Sequence, residues 1–179
     1  MKKGTALAGI VGTVVLFTTL SCQDQGVIGE LAHFKELEAK KARNVETVKA
    51  FYQHLDGFLN AADHQAFMSL WTSDSKRFGG SSDQSMALEQ MEPFLKSWYT
   101  AFPDLKHELL NVVADGDYVV AKVRYTGTQR AEFMGVQPSG KRIDCKGIHL
   151  LKVADGKIAE LHFVDDDMTM FNQLGRELK

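Results

Sequence analysis

Apolar residues recur at three- and four-residue spacing through Val45, Val48, Tyr52, Leu55 and Leu59, and Phe51 and Phe58 widen the stripe. That is the period of a helix with one face turned to a core. Asp63 stands where an N-cap would open a second short helix, "HQAFMSLW", burying Phe67, Leu70 and Trp71. The polar run "TSDSKRFGGSSDQS" then reads as a loop. A third helical stretch, "MALEQMEPFLKSWYTAF", stops before Pro103, because proline disfavours the helical conformation of the residue before it; Pro93 interrupts it and can divide it in two.

From Leu105 to Asp165 the pattern changes to alternation. "HELLNVV" and "YVVAKVRYTGT" flank the turn signal "ADGD", and "RIDCKGIHLLKV" and "KIAELHFV" flank "ADG". Helices first and an antiparallel meander afterwards predict the α+β class. The expected architecture is a cone-shaped α+β barrel, with a curved antiparallel sheet wrapped around N-terminal helices. The interior of such a cone, apolar with a few convergent polar groups, is the default ligand site.

The N-terminus is patterned differently. "MKK" precedes "ALAGIVGTVVLFTTL", an apolar uncharged run ending in "SC", which is the form of a secretory signal. The run also approaches a spanning length, so an uncleaved anchor is the competing reading. After Cys22, "QDQGVIGE" reads as a polar tether and "LAHFKELEAKKARN" as a charged helical stalk. The expected division is residues 1–21 signal peptide, 22–43 tether and stalk, and 44–179 the folded domain.

The composition, 44% hydrophobic and 25% charged, suits one globular core. Lys and Arg number 21 against 23 Asp and Glu, and loss of Lys2 and Lys3 with a leader would make the chain more acidic still. Without a basic surplus to hold phosphates, a nucleic-acid partner is not expected. There is no nucleophile motif and no phosphate-cradling glycine loop. Asp115-Gly116-Asp117 is turn chemistry rather than calcium ligation.

Leu20-Ser21-Cys22 resembles a bacterial lipobox, with Thr19 where the preferred leucine stands. The resemblance implies lipidation of Cys22 and a place in the bacterial cell envelope, facing the periplasm or the surface. Cys145 is the only other cysteine. Further along, "AFPDL" at 101–105, "FMGVQPSGKRI" at 133–143, "HLLKVADGKIAEL" at 149–161 and "QLG" at 173–175 together resemble the SnoaL-like polyketide (ester) cyclase family. That family has the nuclear-transport-factor-two-like cone fold, and its cyclases close a ring by intramolecular aldol condensation without metal or organic cofactor. The resemblance implies an acid/base aspartate at position 163, where this chain has Phe163, and a histidine at His149, which is present. A carboxylate three places beyond is retained as Asp166.

Two registers are open for the hairpin at "ADG". A two-residue Asp155-Gly156 turn would set His149 opposite His162. A three-residue loop would pair Val153 with Lys157, set His149 opposite Leu161 and near Phe163, and turn Glu160 and His162 to the other face. The second is preferred, since it gives His149, Leu151 and Val153 a nearly apolar face shared with Ala159, Leu161 and Phe163. His149 is then a lone titratable group in an apolar wall, serving as base or donor, or simply as a core histidine bonded to a backbone carbonyl. Alternation sends Asp165 to the same face, while Asp166 or Asp167 can cap the helix "MTMFNQL". The candidate catalytic residues are therefore His149, Asp165 and Asp166. Phe163, Leu161, Tyr52, Leu59, Trp98 and Phe102 are candidates to contact a substrate. Glu160 and His162 with the aspartates have no diagnostic ligand spacing, and no metal is expected. Three function classes stay open: an ester cyclase or related isomerase or hydrolase acting on a small carbonyl compound, a non-catalytic pocket for such a molecule, and an envelope scaffold with a filled cone. The partners implied are a small apolar molecule and a membrane reached through the lipid anchor, with a homodimer left open.

Overall fold

The computed structural model describes residues 11–80 and 84–176, with side chains from Gln25 onward. Met1 to Ile10, the side chains of the rest of the expected signal and that of Cys22 lie outside the described residues. The chain divides into two compact units, residues 1–40 and 41–179. Helix α1 (Val11–Asp56) begins in the first unit, and "QDQGVIGE", expected as a tether, is helical. No described helix is long and apolar enough to cross a membrane.

In the second unit the sequence stripe does what its spacing predicts as far as Leu55. Val48, Phe51, Tyr52 and Leu55 are buried, and Asn44 binds the Gly116 carbonyl at 3.0 Å. Leu59 departs from the stripe. The helix ends at Asp56, the next residues form tight turns through Gly57 N–H to His54 and Phe58 N–H to Leu55, and Leu59 is 58% exposed. Helical periodicity stops counting where the helix stops. Helix α2 (Ala61–Ser69) is capped by Asn60, whose side chain accepts from Ala62 and Asp63 N–H, and not by Asp63, which lies in the first turn and pairs with His54 at 2.9 Å.

Trp71 opens a strand instead of ending a helix. Strand β1 (Trp71–Gly79) replaces most of the expected loop and pairs with the short β2 (Ser85–Ala87). Helix α3 (Leu88–Ala101) runs unbroken through Pro93. Pro93 is exposed, as is Glu89, so the carbonyl that loses its helical partner can turn to water. Strands β3 (Lys106–Asp115), β4 (Tyr118–Thr128), β5 (Arg142–Ala154) and β6 (Lys157–Asp165) follow as a meander, and α4 (Asp167–Leu174) closes the described chain.

The sheet order is β2-β1-β6-β5-β4-β3. It is curved and unclosed, and it is mixed where an antiparallel barrel was expected, because β1 runs parallel to β6. The α+β cone is otherwise as the sequence indicates. The inner faces of β4 and β5, with Val119, Ala121, Val123, Ile143, Leu151 and Val153 all buried, pack against the helices.

Neither expected register of the β5–β6 hairpin is the observed one. Asp155 and Gly156 both have positive φ, 49° and 75°, which makes the two-residue primed turn. Ala154 pairs with Lys157 and Val153 with Ile158, but Lys152 then pairs with Glu160. Ala159 is an extra, bulged residue. From there on Leu151 faces Leu161 and His149 faces Phe163, so the bulge restores the partition that the three-residue loop was invoked to explain. Ile158, fully buried, takes the inward place expected of Ala159.

Candidate functional site

The inner face of this hairpin forms one wall of a cavity of about 120 Å³. Phe51 and Leu55 of α1, Met91, Leu95 and Trp98 of α3, and Leu161 of β6 supply its apolar lining. Into it project Arg77, His107, His149, Asp165 and, at the rim, Asp167. An outer groove of about 470 Å³ shares Arg77, Phe94 and Phe163 with the cavity.

His149 is buried and both its ring nitrogens are occupied. Nδ1 lies 2.6 Å from the Tyr52 hydroxyl and Nε2 lies 3.0 Å from Asp165 Oδ1. Burial, followed by the charge of Asp165, pushes the Tyr52 pKa far above its ordinary value, so the hydroxyl keeps its proton. With Asp165 ionised, a neutral imidazole satisfies both bonds in one tautomer: Tyr52 donates to Nδ1, and Nε2–H donates to Asp165. The imidazole then has no free lone pair, and Asp165 is the group left to act on a ligand. The strands make room for this pair. Gly147 faces Asp165 across the β5–β6 ladder, and a Cβ there would fall on Asp165 Oδ1 and within 3.1 Å of His149 Nε2.

Arg77 was missed by the sequence reading. It sits in the run taken for a loop, and its partner across the parallel ladder is Leu161, on the cavity face. The guanidinium carbon lies 3.9 Å from the Phe163 ring centroid and 5.0 Å from that of Phe94, between two aromatic faces. Burial lowers its pKa to about 10, with the charge of Asp165 opposing the fall, so it stays cationic at neutral pH. Gly79, opposite Phe163, admits the ring, since a Cβ there would come 2.5 Å from Phe163 Cζ. On the outer face Phe78 stacks on His162 at 4.4 Å, which turns His162 away from the cavity.

A second imidazole, His107, reaches the cavity from β3. Its Nδ1 is 2.7 Å from Asp56 Oδ1, and its backbone N–H donates to the same carboxylate at 3.0 Å. The buried hydroxyl of Tyr99, also on the wall, has no hydrogen-bond partner among the described residues. No signal in a single sequence pairs Asp56 with a residue 51 positions away.

The other candidates separate. Leu161, Phe163 and Trp98 line the cavity. Tyr52 stands behind His149 instead of on the wall, and Phe102 is fully buried against Trp98 and Phe133 as core. Leu59 is outside altogether. Asp166 is not in the cavity: it caps α4, accepting from Thr169 N–H at 3.0 Å, and hydrogen bonding to the Thr169 side chain, then to its backbone N–H, holds its pKa below the usual carboxylate range. Asp167 is shifted upward, first by burial and then by Asp165 and Asp166. Among the described residues no group of three or more His, Cys, Asp and Glu could hold a metal ion.

The family model described as SnoaL-like polyketide cyclase matches residues 49–174. The chain belongs to the SnoaL-like polyketide cyclase family. A solved structure from Jannaschia sp. CCS1, assigned as a SnoaL-like polyketide cyclase, is 26% identical, with a TM-score of 0.70 over 78% of this chain and 96% of that one. AclR from Streptomyces galilaeus, assigned as a hydroxylase, is 28% identical, with a TM-score of 0.64 over 75% and 98%. IdmH from Streptomyces antibioticus, assigned as a polyketide cyclase, is 25% identical, with a TM-score of 0.64 over 74% and 99%. No curated protein matches significantly. Against the SnoaL-like pattern stated above, this chain has a phenylalanine at 163 and a histidine-bonded carboxylate two residues later.

Proposed function

We propose that this SnoaL-like protein is a cofactor-independent acid/base enzyme of the ester-cyclase type, acting on a small carbonyl compound, with Asp165 as the base. The observation that carries the reading is the series Tyr52–His149–Asp165, which ends in a carboxylate on the wall of a cavity whose remaining lining is mostly apolar and aromatic. Asp165 takes a proton from a carbon made acidic by its carbonyl. The resulting nucleophilic carbon attacks a second carbonyl of the same molecule, and the proton returns to the new alkoxide. His149 is a positioning residue in this scheme: it holds the carboxylate, and Tyr52 holds it. The same reading includes a lipid anchor at Cys22 in the cell envelope.

The test is turnover of a polyketide methyl ester by the purified protein. Wild type should cyclise the ester, and Asp165→Asn should lower kcat by roughly 10²–10⁴-fold. His149→Ala should lower kcat with little change in KM. Binding without turnover by wild type would instead support the second reading, a non-catalytic pocket, which Phe163 favours because it has no proton to exchange. In that case Phe163→Asp is the variant expected to gain turnover.

A further inference from the structure

We propose that Arg77 receives the negative charge that forms on the substrate oxygen when Asp165 takes the proton, so that the cavity is matched to a neutral enolisable carbonyl compound and not to a carboxylate. The inference rests on the reading of Asp165 as base. Its structural ground is separate from that reading: a cation on the cavity wall, over the rings of Phe163 and Phe94, with no ion pair or hydrogen bond to a described residue. The charge of Asp165, whose Oδ1 is already engaged by His149, acts on it and favours its cationic form.

Charge conservation decides what this cation is for. Before reaction, Arg77 is the counter-charge to an ionised Asp165, with Asp167 a further carboxylate at the rim. Proton abstraction breaks the substrate C–H bond and puts the proton on Asp165, which becomes neutral. The electron pair of that bond forms a C=C bond, and the carbonyl π pair moves to oxygen as an enolate. Arg77 thereby loses one counter-charge and gains another, without either charge leaving the cavity. A substrate that arrived as an anion would add a second negative charge beside an ionised Asp165, with Arg77 the one permanent cation on the wall to answer both. Donors arranged before charge develops need no reorganisation when it does, and the two rings supply that rigidity for a long flexible side chain. Tyr99 and His107 offer further polar atoms on the wall, but Arg77 is the one permanent cation there.

The probe is 4-nitrophenol, whose phenolate resembles an enolate oxygen on an apolar body and whose two ionisation states differ in visible absorbance. It is titrated into wild type, Asp165→Asn, Arg77→Met, Arg77→Lys and the double variant Asp165→Asn/Arg77→Met, with far-UV circular dichroism and thermal midpoint recorded for each. Asp165→Asn mimics the protonated base and should bind the phenolate about tenfold or more tightly than wild type. Adding Arg77→Met should abolish that gain. Arg77→Lys, which keeps the charge and serves as the folded control if the methionine variant collapses, should retain part of it. In turnover, Arg77→Met should lower kcat by roughly 10²-fold with little change in KM. Phenolate affinity in the Asp165→Asn background that is indifferent to Arg77, or no phenolate binding there at all, overturns the inference. If Asp165→Asn keeps full turnover while phenolate binding still needs Arg77, the base assignment fails and the anion-binding role of Arg77 stands.

Discussion

Gly147 carries a precise demand that its side-chain-free identity meets. Gly147→Ala should push Asp165 off His149, at about 1–3 kcal/mol of stability by denaturant unfolding, as for other overpacked sites. The ¹⁵N signal of His149 Nε2 should report loss of the bond, and turnover should fall with it. Tyr52→Phe removes a donor and leaves His149 Nδ1 unpaired in the core, a cost of about 1–3 kcal/mol. Its kcat should fall while KM holds, since Tyr52 is not on the cavity wall. At this scale the sequence was a partial guide. Alternation placed His149 and Asp165 on one face correctly, because both lie on a strand with a regular apolar neighbour set. It could not reveal that both imidazole nitrogens would be taken, which assigns the open oxygen to Asp165 and makes His149 its support. Arg77 was invisible because it sits on the same inner face as Ser75 and Gly79, where a buried strand is recognised by apolar residues.

Among elements, α4 shows two adjacent aspartates working in opposite directions. The folded pKa of Asp166 is depressed, so its cap stabilises above the unfolded carboxylate pKa of about 3.9 and that contribution is lost as pH falls through the folded value. The folded pKa of Asp167 is raised, so its ionised form opposes folding once pH exceeds that value. Asp167→Asn should therefore raise the thermal midpoint at neutral pH and lose this advantage in acid. Asp166→Asn keeps a capping side chain but should flatten the acid limb of the stability curve. Midpoints measured from about pH 3 to pH 7 for both variants separate the two effects, and equal slopes would contradict them. The helix itself was legible from its spacing and its aspartates. Strand β1 was not, since its inner face serves the cavity and its outer face is polar apart from Phe78. The hairpin failed in its loop and succeeded in its faces, because a two-residue turn and a bulge together give the side-chain partition that the apolar pattern requires.

At the scale of the whole molecule, the helices-then-strands order and the resemblance together made the cone readable. The parallel β1–β6 contact was not, because it joins segments separated by nearly the whole meander, and no local pattern encodes a remote neighbour. The N-terminal reading is tested on the full chain expressed in a bacterium with its own leader. Intact mass of membrane-fraction protein should show residues 1–21 removed and acyl mass added, and Cys22→Ser should release the protein or leave the precursor uncut. Unchanged lipidation in that variant would refute the anchor.

The bulge at Ala159 has a consequence for how this hairpin can change length. Removing one residue from a strand ordinarily inverts the faces beyond the cut, which would expose half a core. Here β6 carries one residue more than its ladder uses, between the Val153–Ile158 and Lys152–Glu160 pairs. Deleting Ala159 should leave the β5 partner of every remaining β6 residue unchanged, with Ile158, Leu161, Phe163 and Asp165 still inward, and on the β1 side the cut falls in the irregular stretch between the Trp71–Ile158 and Lys76–Glu160 pairs. What such a deletion removes is local twist and not register. The hairpin thus has one point at which a codon can be lost in descent without disturbing the residues that face the cavity.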